Sequence, residues 1–121
     1  MKKLMNGAQM KMIDTYSIQE VGIPSLVLME RAALCVTEAV LEKIKKTDKV
    51  LCVCGSGNNG ADGTAVARQL TERGISAEVY TTAEEGKGTE ELNRQRAILQ
   101  KLGIVFVNDI PAGEYNCIID A

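Results

Sequence analysis

A glycine-rich segment directly after an apolar run has the residue types and spacing to bind a phosphate group. Gly55, Gly57 and Gly60 follow the apolar residues 50–54, and a helical pattern begins at about Ala61. The first backbone N–H groups of a helix lack partners within the helix and carry partial positive charge, which attracts an anion. The order of strand, tight turn and helix start therefore predicts a phosphate-binding corner.

Three polar side chains lie on or directly beside this turn. Asn58, Asn59 and Asp62 supply amide and carboxylate oxygens next to the expected phosphate position. Asn and Asp are also ordinary turn and cap residues, so Asp62 could simply cap the helix. Their concentration directly after an apolar strand favours a ligand site over a simple turn.

The residues around the turn exclude two familiar nucleotide motifs. A Walker loop ends in G-K-[ST], whereas residues 62–64 read Asp-Gly-Thr. A typical NAD site has an acidic residue at the end of the second strand, about 20 residues further on. Here the second apolar strand pattern, at 77–82, ends in two threonines, with Glu78 inside it and Glu84 beyond it. The corner therefore differs from a standard redox-cofactor site.

Composition narrows the class of protein. The chain has 121 residues, 45% of them hydrophobic, and a formal charge of −2, which predicts one domain with a substantial core. Mixed charges without a basic patch argue against nucleic acid as a partner. The sequence has neither an apolar stretch of membrane-spanning length nor a secretory signal. We therefore expect a cytoplasmic protein that does not bind membranes.

The chain contains no histidine and no C-x-x-C pair, which argues against a zinc site. We expect all four cysteines to be buried as small hydrophobic residues. Without histidine, a general acid or base has to be Asp, Glu, Lys, Tyr or Cys. The cysteines are Cys35, Cys52, Cys54 and Cys117.

The elements that position the turn follow from hydrophobic periodicity. Two N-terminal helices are predicted, at about 7–20 and 25–45, and alternating strands and helices come after them. This alternation predicts an α/β, Rossmann-like fold: a doubly wound parallel sheet of strand order 3-2-1-4 with helices on both faces. The strands are predicted at 50–54, 77–82, 104–107 and 116–120, and the later helices at 61–73 and 89–102.

Asp120 is the leading candidate for chemistry. In the predicted order the first and fourth strands are neighbours, and ligands bind outside the carboxyl ends of the strands at such a switch point. Asp120 ends the fourth strand after the apolar residues 117–119, which would put it beside Asn58 and Asn59. In isolation an aspartate at a strand end could be a turn residue, but this neighbourhood favours a catalytic role. Because no helix follows this strand, we expect residues 1–121 to be the N-terminal part of a longer domain.

Three segments resemble the YjeF N-terminal domain family of NAD(P)H-hydrate epimerases, over essentially the whole chain. Residues 55–63 resemble its G-x-G-N-N-G-G-D-G signature, with Ala61 where glycine is usual. Residues 118–121, Ile-Ile-Asp-Ala, resemble the start of its I-x-D-A-x-x-G motif. Residues 12–14, 22–26 and 28–32 resemble its opening helices. Alanine suits a helix N-terminus, so the one departure within the signature is a small one.

This resemblance implies an enzyme that interconverts the R and S forms of NADHX and NADPHX, which are nicotinamide cofactors hydrated at ring carbon C6. An S-specific dehydratase, either fused or separate, would then restore the cofactor. The resemblance also implies a potassium ion held by Asn59 and Asp120. The substrate contacts that it implies are Asn58, Asn59, Gly60, Ala61 and Asp62.

Two other functions remain open at this point. The chain could be a non-catalytic binding or scaffold module of the same fold, or the N-terminal half of a bifunctional epimerase and ADP-dependent dehydratase. A scaffold module would lose or alter the ligand-bearing turn, whereas Asn58, Asn59, Asp62 and Asp120 are all present. The residues therefore favour the enzyme, and they leave a homodimer open.

Overall fold

The described part of the chain alternates helices and strands from Ser25 onward. A computed structural model describes residues 22, 24–84, 86–107 and 114–121. The helix expected at 7–20 lies outside these residues. The elements are the helices α1 (Ser25–Leu41), α2 (Asn58–Glu72) and α3 (Glu90–Lys101) and the strands β1 (Lys49–Cys54), β2 (Ser76–Thr81), β3 (Phe106–Val107) and β4 (Cys117–Asp120).

The four strands form one parallel sheet in the order β3-β2-β1-β4, which confirms the predicted order. Strand β1 is central, and its Val53 is in register with Tyr80 of β2 and with Asp120 of β4. The carboxyl ends of these three strands therefore meet at one edge of the sheet. This edge is where the turn after β1 begins.

All three described helices pack against the same face of the sheet. Alternate residues of a strand point to opposite faces, and Val50, Cys52 and Cys54 of β1 point towards the helices. On the opposite face Leu51 is buried and Val53 is half-buried, and no described helix covers that face. The helix residues in the shared core are Ala33, Val36 and Val40 of α1, Ala65, Val66, Ala67 and Leu70 of α2, and Leu99 of α3.

Glycines end α2 and α3 in the same way. Gly74 and Gly103 follow the two helices with φ of 82° and 77°, a left-handed backbone that glycine adopts without strain. In each case the next residue donates its N–H back to the last helical turn, Ile75 to Leu70 O and Ile104 to Leu99 O, both at 3.0 Å. These hydrogen bonds end each helix and direct the chain towards the strand that follows.

One expectation about burial is wrong. Cys35 is exposed because α1 turns other positions, among them Ala33 and Val36, towards the core. None of the described helices combines the length and the apolar character that a membrane crossing needs.

Candidate functional site

The turn after β1 is shorter than the sequence predicts. Helix α2 begins at Asn58, so Asn58 and Asn59 form its first turn and do not lie in a loop. The N-cap is Gly57, and no side chain caps the helix there. A glycine cap leaves room for a ligand at this helix start, where phosphate groups bind readily.

Close packing holds the start of α2 against the sheet. A Cβ atom added to Gly60 would lie 1.9 Å from the carbonyl oxygen of Gly55, and one added to Gly63 would lie 2.8 Å from both Cys54 Sγ and Ala121 Cβ. Only glycine permits these approaches. By contrast, a Cβ at Gly57 would meet nothing within 4 Å. The steric requirement for glycine therefore falls on Gly60 and Gly63.

Strand β4 joins this arrangement through its last residues. Ala121 donates its N–H to Val53 O at 2.8 Å, and Gly55 donates its N–H to Ala121 O at 2.9 Å. Asp120 is half-buried and in register with Val53. The structure thus brings the backbone of Asp120 to the edge from which the glycine turn leaves.

Two of the other candidate residues lie inside the molecule. Asp62 is only 1% exposed and lies beyond the first turn of α2, so it is not the helix cap. The side chain of Ala61 is buried in a small apolar cluster with Met29, Ala83 and Leu92. The methyl group of Ala61 therefore packs into the core, which explains why alanine is accommodated at this position of the signature.

The buried thiols near the turn are not nucleophiles. Burial, followed by the neighbouring Cys52 and Asp120, raises the pKa of Cys54 well above its usual value. Burial and the neighbouring Cys117 likewise raise the pKa of Cys52. A thiol reacts as its thiolate, which these environments disfavour.

The loop before α3 forms the other side of the turn, a role that sequence reasoning missed. Thr89 donates its N–H to Ser56 O at 3.1 Å, and Thr82 donates its N–H to Cys54 O at 3.4 Å. Gly88 has a φ of 90°, and a Cβ there would lie 2.9 Å from Ser56 O. The signal for this role in the sequence was the pair of glycines Gly86 and Gly88, both of which adopt positive φ in the structure.

The potassium ion that the family resemblance implies would need oxygen ligands at this edge of the sheet. No group of three or more His, Cys, Asp or Glu residues that could hold a metal occurs among the described residues. Potassium does not require such a group, because backbone carbonyls are among its usual ligands. Asp120 is half-buried at the end of β4, and its carboxylate is a hard oxygen donor of the right chemistry for such an ion.

Comparison with known proteins gives the family of the chain. A family profile described as "YjeF-related protein N-terminus" matches residues 25–121. The NAD(P)H-hydrate epimerase of Leuconostoc mesenteroides is 36% identical over 121 residues, which are 100% of this chain and 55% of the relative. That of Oenococcus oeni is 41% identical over 110 residues, 89% of this chain and 52% of the relative.

A solved structure has the same fold. The crystal structure of yeast ynu0, YNL200c, matches with a TM-score of 0.74 and 23% identity, over 98% of this chain and 56% of that chain. The present chain spans about half the length of the curated relatives it matches. Since the family profile runs through every described helix and strand, the chain belongs to the family of YjeF-related protein N-termini.

Proposed function

We propose that the protein containing this chain is an NAD(P)H-hydrate epimerase, which interconverts the R and S forms of NADHX and NADPHX. One observation carries the proposal: Gly60 and Gly63 pack directly on Gly55 and Ala121. This packing joins an anion-binding helix start to the strand end that carries Asp120. The names of the relatives give the substrate class.

Substrate binding would use the backbone at the start of α2. The N–H groups of the first helical turn attract the pyrophosphate of a dinucleotide. Gly57 leaves the approach to this turn without a side chain, since a Cβ there would meet nothing within 4 Å. In this proposal Asp62 acts from inside the fold as a support for the turn, since it is only 1% exposed. The proposed substrate contacts are Asn58, Asn59, Gly60 and Ala61, which Asp62 supports from beneath.

The chemistry needs a group that moves protons. C6 of the hydrate carries a hydroxyl group and the ring nitrogen, so it is a hemiaminal. Loss of the hydroxyl proton with cleavage of the C6–N1 bond gives an open aldehyde, and N1 takes up a proton. Closure onto the other face of the carbonyl reverses these transfers and inverts C6. We assign the proton-accepting and proton-returning role to the Asp120 carboxylate, because the buried thiols nearby stay protonated.

Asn59 and Asp120 would hold the potassium ion in this proposal. When bound, the ion supplies positive charge that favours the ionised form of Asp120 and offsets substrate phosphate charge. An S-specific dehydratase, fused or separate, would be the functional partner. All four cysteines are free, which fits the reducing cytoplasm that we propose as the compartment.

The proposal is tested with the complete protein and R-enriched NADHX. Chromatography of the two epimers over time should show faster equilibration with enzyme than without it. An unchanged rate would overturn the enzymatic proposal and favour a binding module. Repeating the assay with sodium in place of potassium tests the ion, and equal rates would remove potassium from the site.

A further inference from the structure

A cavity lies beside the glycine turn, at the carboxyl ends of β2 and β3. Its volume is about 480 Å³, within the range of about 300–1,000 Å³ typical of small-molecule sites. Residues 80–84, at and beyond the end of β2, form one wall, and the end of β3 forms another. Arg96 of α3 also lines this cavity. No residue proposed above for the epimerase reaction belongs to it.

Arg96 is held in place at the cavity wall. Its Nη1 donates to Ala83 O at 3.2 Å, and its guanidinium carbon lies 4.9 Å from the centre of the Phe106 ring. Its Nε is buried and has no hydrogen-bond partner among the described residues. An oriented guanidinium at a cavity wall suits a ligand with acceptor oxygens, and phosphate matches its geometry best.

The cavity is adjacent to the turn that would bind the pyrophosphate. Thr82, in its wall, donates its N–H to Cys54 O at the end of β1. Neighbouring strands are about 4.8 Å apart, so the cavity lies one to two strand spacings from the turn. A dinucleotide with its pyrophosphate at the start of α2 could therefore extend its adenosine half into this cavity.

The end of β2 lacks the residue that would reject a phosphate there. Folds of this class bind NAD with an acidic residue near the end of the second strand and accommodate the 2′-phosphate of NADP with a nearby arginine. Here β2 ends at Thr81, whose hydroxyl accepts a hydrogen bond from the N–H of Ala83 at 3.2 Å and keeps its own proton to donate. Glu84 is the acidic residue of the lining, but it is exposed, so water and salt weaken its repulsion of a phosphate without removing it.

We propose that this cavity binds the ribose 2′-phosphate of the substrate, through Arg96 and Thr81, and that the protein prefers NADPHX to NADHX. The assignment deepens the proposed function, and it rests on that function for the identity of the dinucleotide. Recognition of the 2′-phosphate can be measured without any catalysis.

The test compares adenosine 2′,5′-bisphosphate with adenosine 5′-monophosphate by calorimetric titration of the complete protein. The two probes differ only in the 2′-phosphate. We expect the bisphosphate to bind at least about 10-fold more tightly, the scale of one charge-assisted hydrogen bond. Equal affinities, or no binding of the bisphosphate at millimolar concentration, would overturn the proposal.

Matched variants distinguish a specific contact of Arg96 from a general effect of positive charge. Arg96→Met should abolish the preference, whereas Arg94→Met should keep it, because Arg94 is on the same helix but pairs with Glu90 at the surface. Arg96→Lys keeps the charge without the planar fork and should retain only part of the preference. Glu84→Gln should strengthen bisphosphate binding. If Arg96→Met unfolds at too low a temperature for the titration, Arg96→Lys and Glu84→Gln test the proposal instead. An unchanged preference for the bisphosphate in both variants would overturn the site.

The two proposals fail in different ways. A protein that prefers the bisphosphate but does not epimerise NADHX or NADPHX would overturn the epimerase and keep the 2′-phosphate site. An active epimerase without the preference would overturn the site alone.

Discussion

Asp120 combines two properties that a proton-transferring group needs. It is half-buried, so water reaches it while the end of β4 fixes its backbone opposite Val53. Asp62, the other carboxylate near the turn, is only 1% exposed and is poorly placed to reach a substrate carbon. The two aspartates therefore have different roles in the proposed enzyme, one in chemistry and one in supporting the turn.

Asp120→Asn should lower the turnover of NADHX by about 100-fold or more, the usual scale for losing a general acid or base. Asparagine keeps the size of the side chain at a strand end, so the melting temperature should change little. Epimer chromatography and thermal unfolding measure the two effects. Parent-like turnover in the variant would remove Asp120 from the mechanism.

At the scale of elements, the site depends on how closely α2 approaches the sheet. Gly60→Ala places a methyl group against the backbone of Gly55, and such overpacking costs about 1–3 kcal/mol. Urea unfolding should therefore show a lower free energy of unfolding, and adenosine 5′-monophosphate should bind less tightly. The fixed backbone of Gly55 cannot move aside as a flexible side chain would.

Gly57→Ser is the matched control for this substitution. It also adds a Cβ in the turn, but into open space, and serine is a favoured N-cap residue. Its free energy of unfolding should stay within about 0.5 kcal/mol of the parent. Equal losses in the two variants would contradict the close-packing argument.

A polar network ties α1 to α2. Thr37 is fully buried and donates its hydroxyl proton to Gln69 Oε1 at 2.8 Å. Gln69 Nε2 in turn donates to Glu30 Oε2 at 3.1 Å, and Arg68 pairs with the same carboxylate. Because Thr37 and Gln69 are buried, their hydrogen bond makes the relative position of the two helices specific.

Gln69→Leu should destabilise the protein by about 1–3 kcal/mol, because it leaves the buried hydroxyl of Thr37 without its acceptor. Adding Thr37→Val removes that hydroxyl, so the double variant should lose less than the sum of the two single variants. Urea unfolding of the four proteins measures this coupling. Strict additivity would show that the bond between Thr37 and Gln69 contributes nothing.

The sequence predicts the order of elements well because strand and helix periodicities alternate cleanly from Lys49 onward. It misplaces the start of α2 by three residues, since Asn58 and Asn59 have turn-like propensities that the packing of Gly60 on Gly55 overrides. The position of Arg96 could not be predicted, because periodicity does not show that Phe106 would lie beneath its guanidinium. Local patterns thus define the elements, while contacts between elements define the edge of the site.

At the scale of the whole molecule, the two edges of the sheet differ in chemistry. The carboxyl edge carries the glycine turn and the cavity, whereas the other end of the sheet carries three side chains that pair with one another. There Tyr115 donates its hydroxyl proton to Glu78 at 2.7 Å, and Lys49 Nζ lies 3.4 Å from the same carboxylate. The ammonium group also lies 5.3 Å from the centre of the Tyr115 ring. This cluster stabilises the fold away from the ligand.

Burial, with the hydrogen bond to Glu78 and the charges of Glu78 and Glu114, raises the pKa of Tyr115 from 10.0 to about 12. The folded state thus favours the neutral phenol, and this stabilisation is complete below pH 10. It is lost as the pH rises towards 12. Melting temperatures over this range should fall more steeply for the parent than for Tyr115→Phe. Parallel curves would show that Tyr115 does not contribute to alkaline unfolding.

The pairing of β1 with β4 has a consequence for the order in which the molecule assembles. Lys49 and Asn116 exchange hydrogen bonds across 67 residues of chain, whereas β1 and β2 are joined by one short helical crossover. Closing the longer loop costs more entropy, so β4 should dock late and open first. Because Gly55 donates to Ala121, the ligand edge is complete only in the fully docked state. A bound dinucleotide should therefore slow hydrogen exchange at β4 more than at β2, which couples ligand binding to the last step of folding.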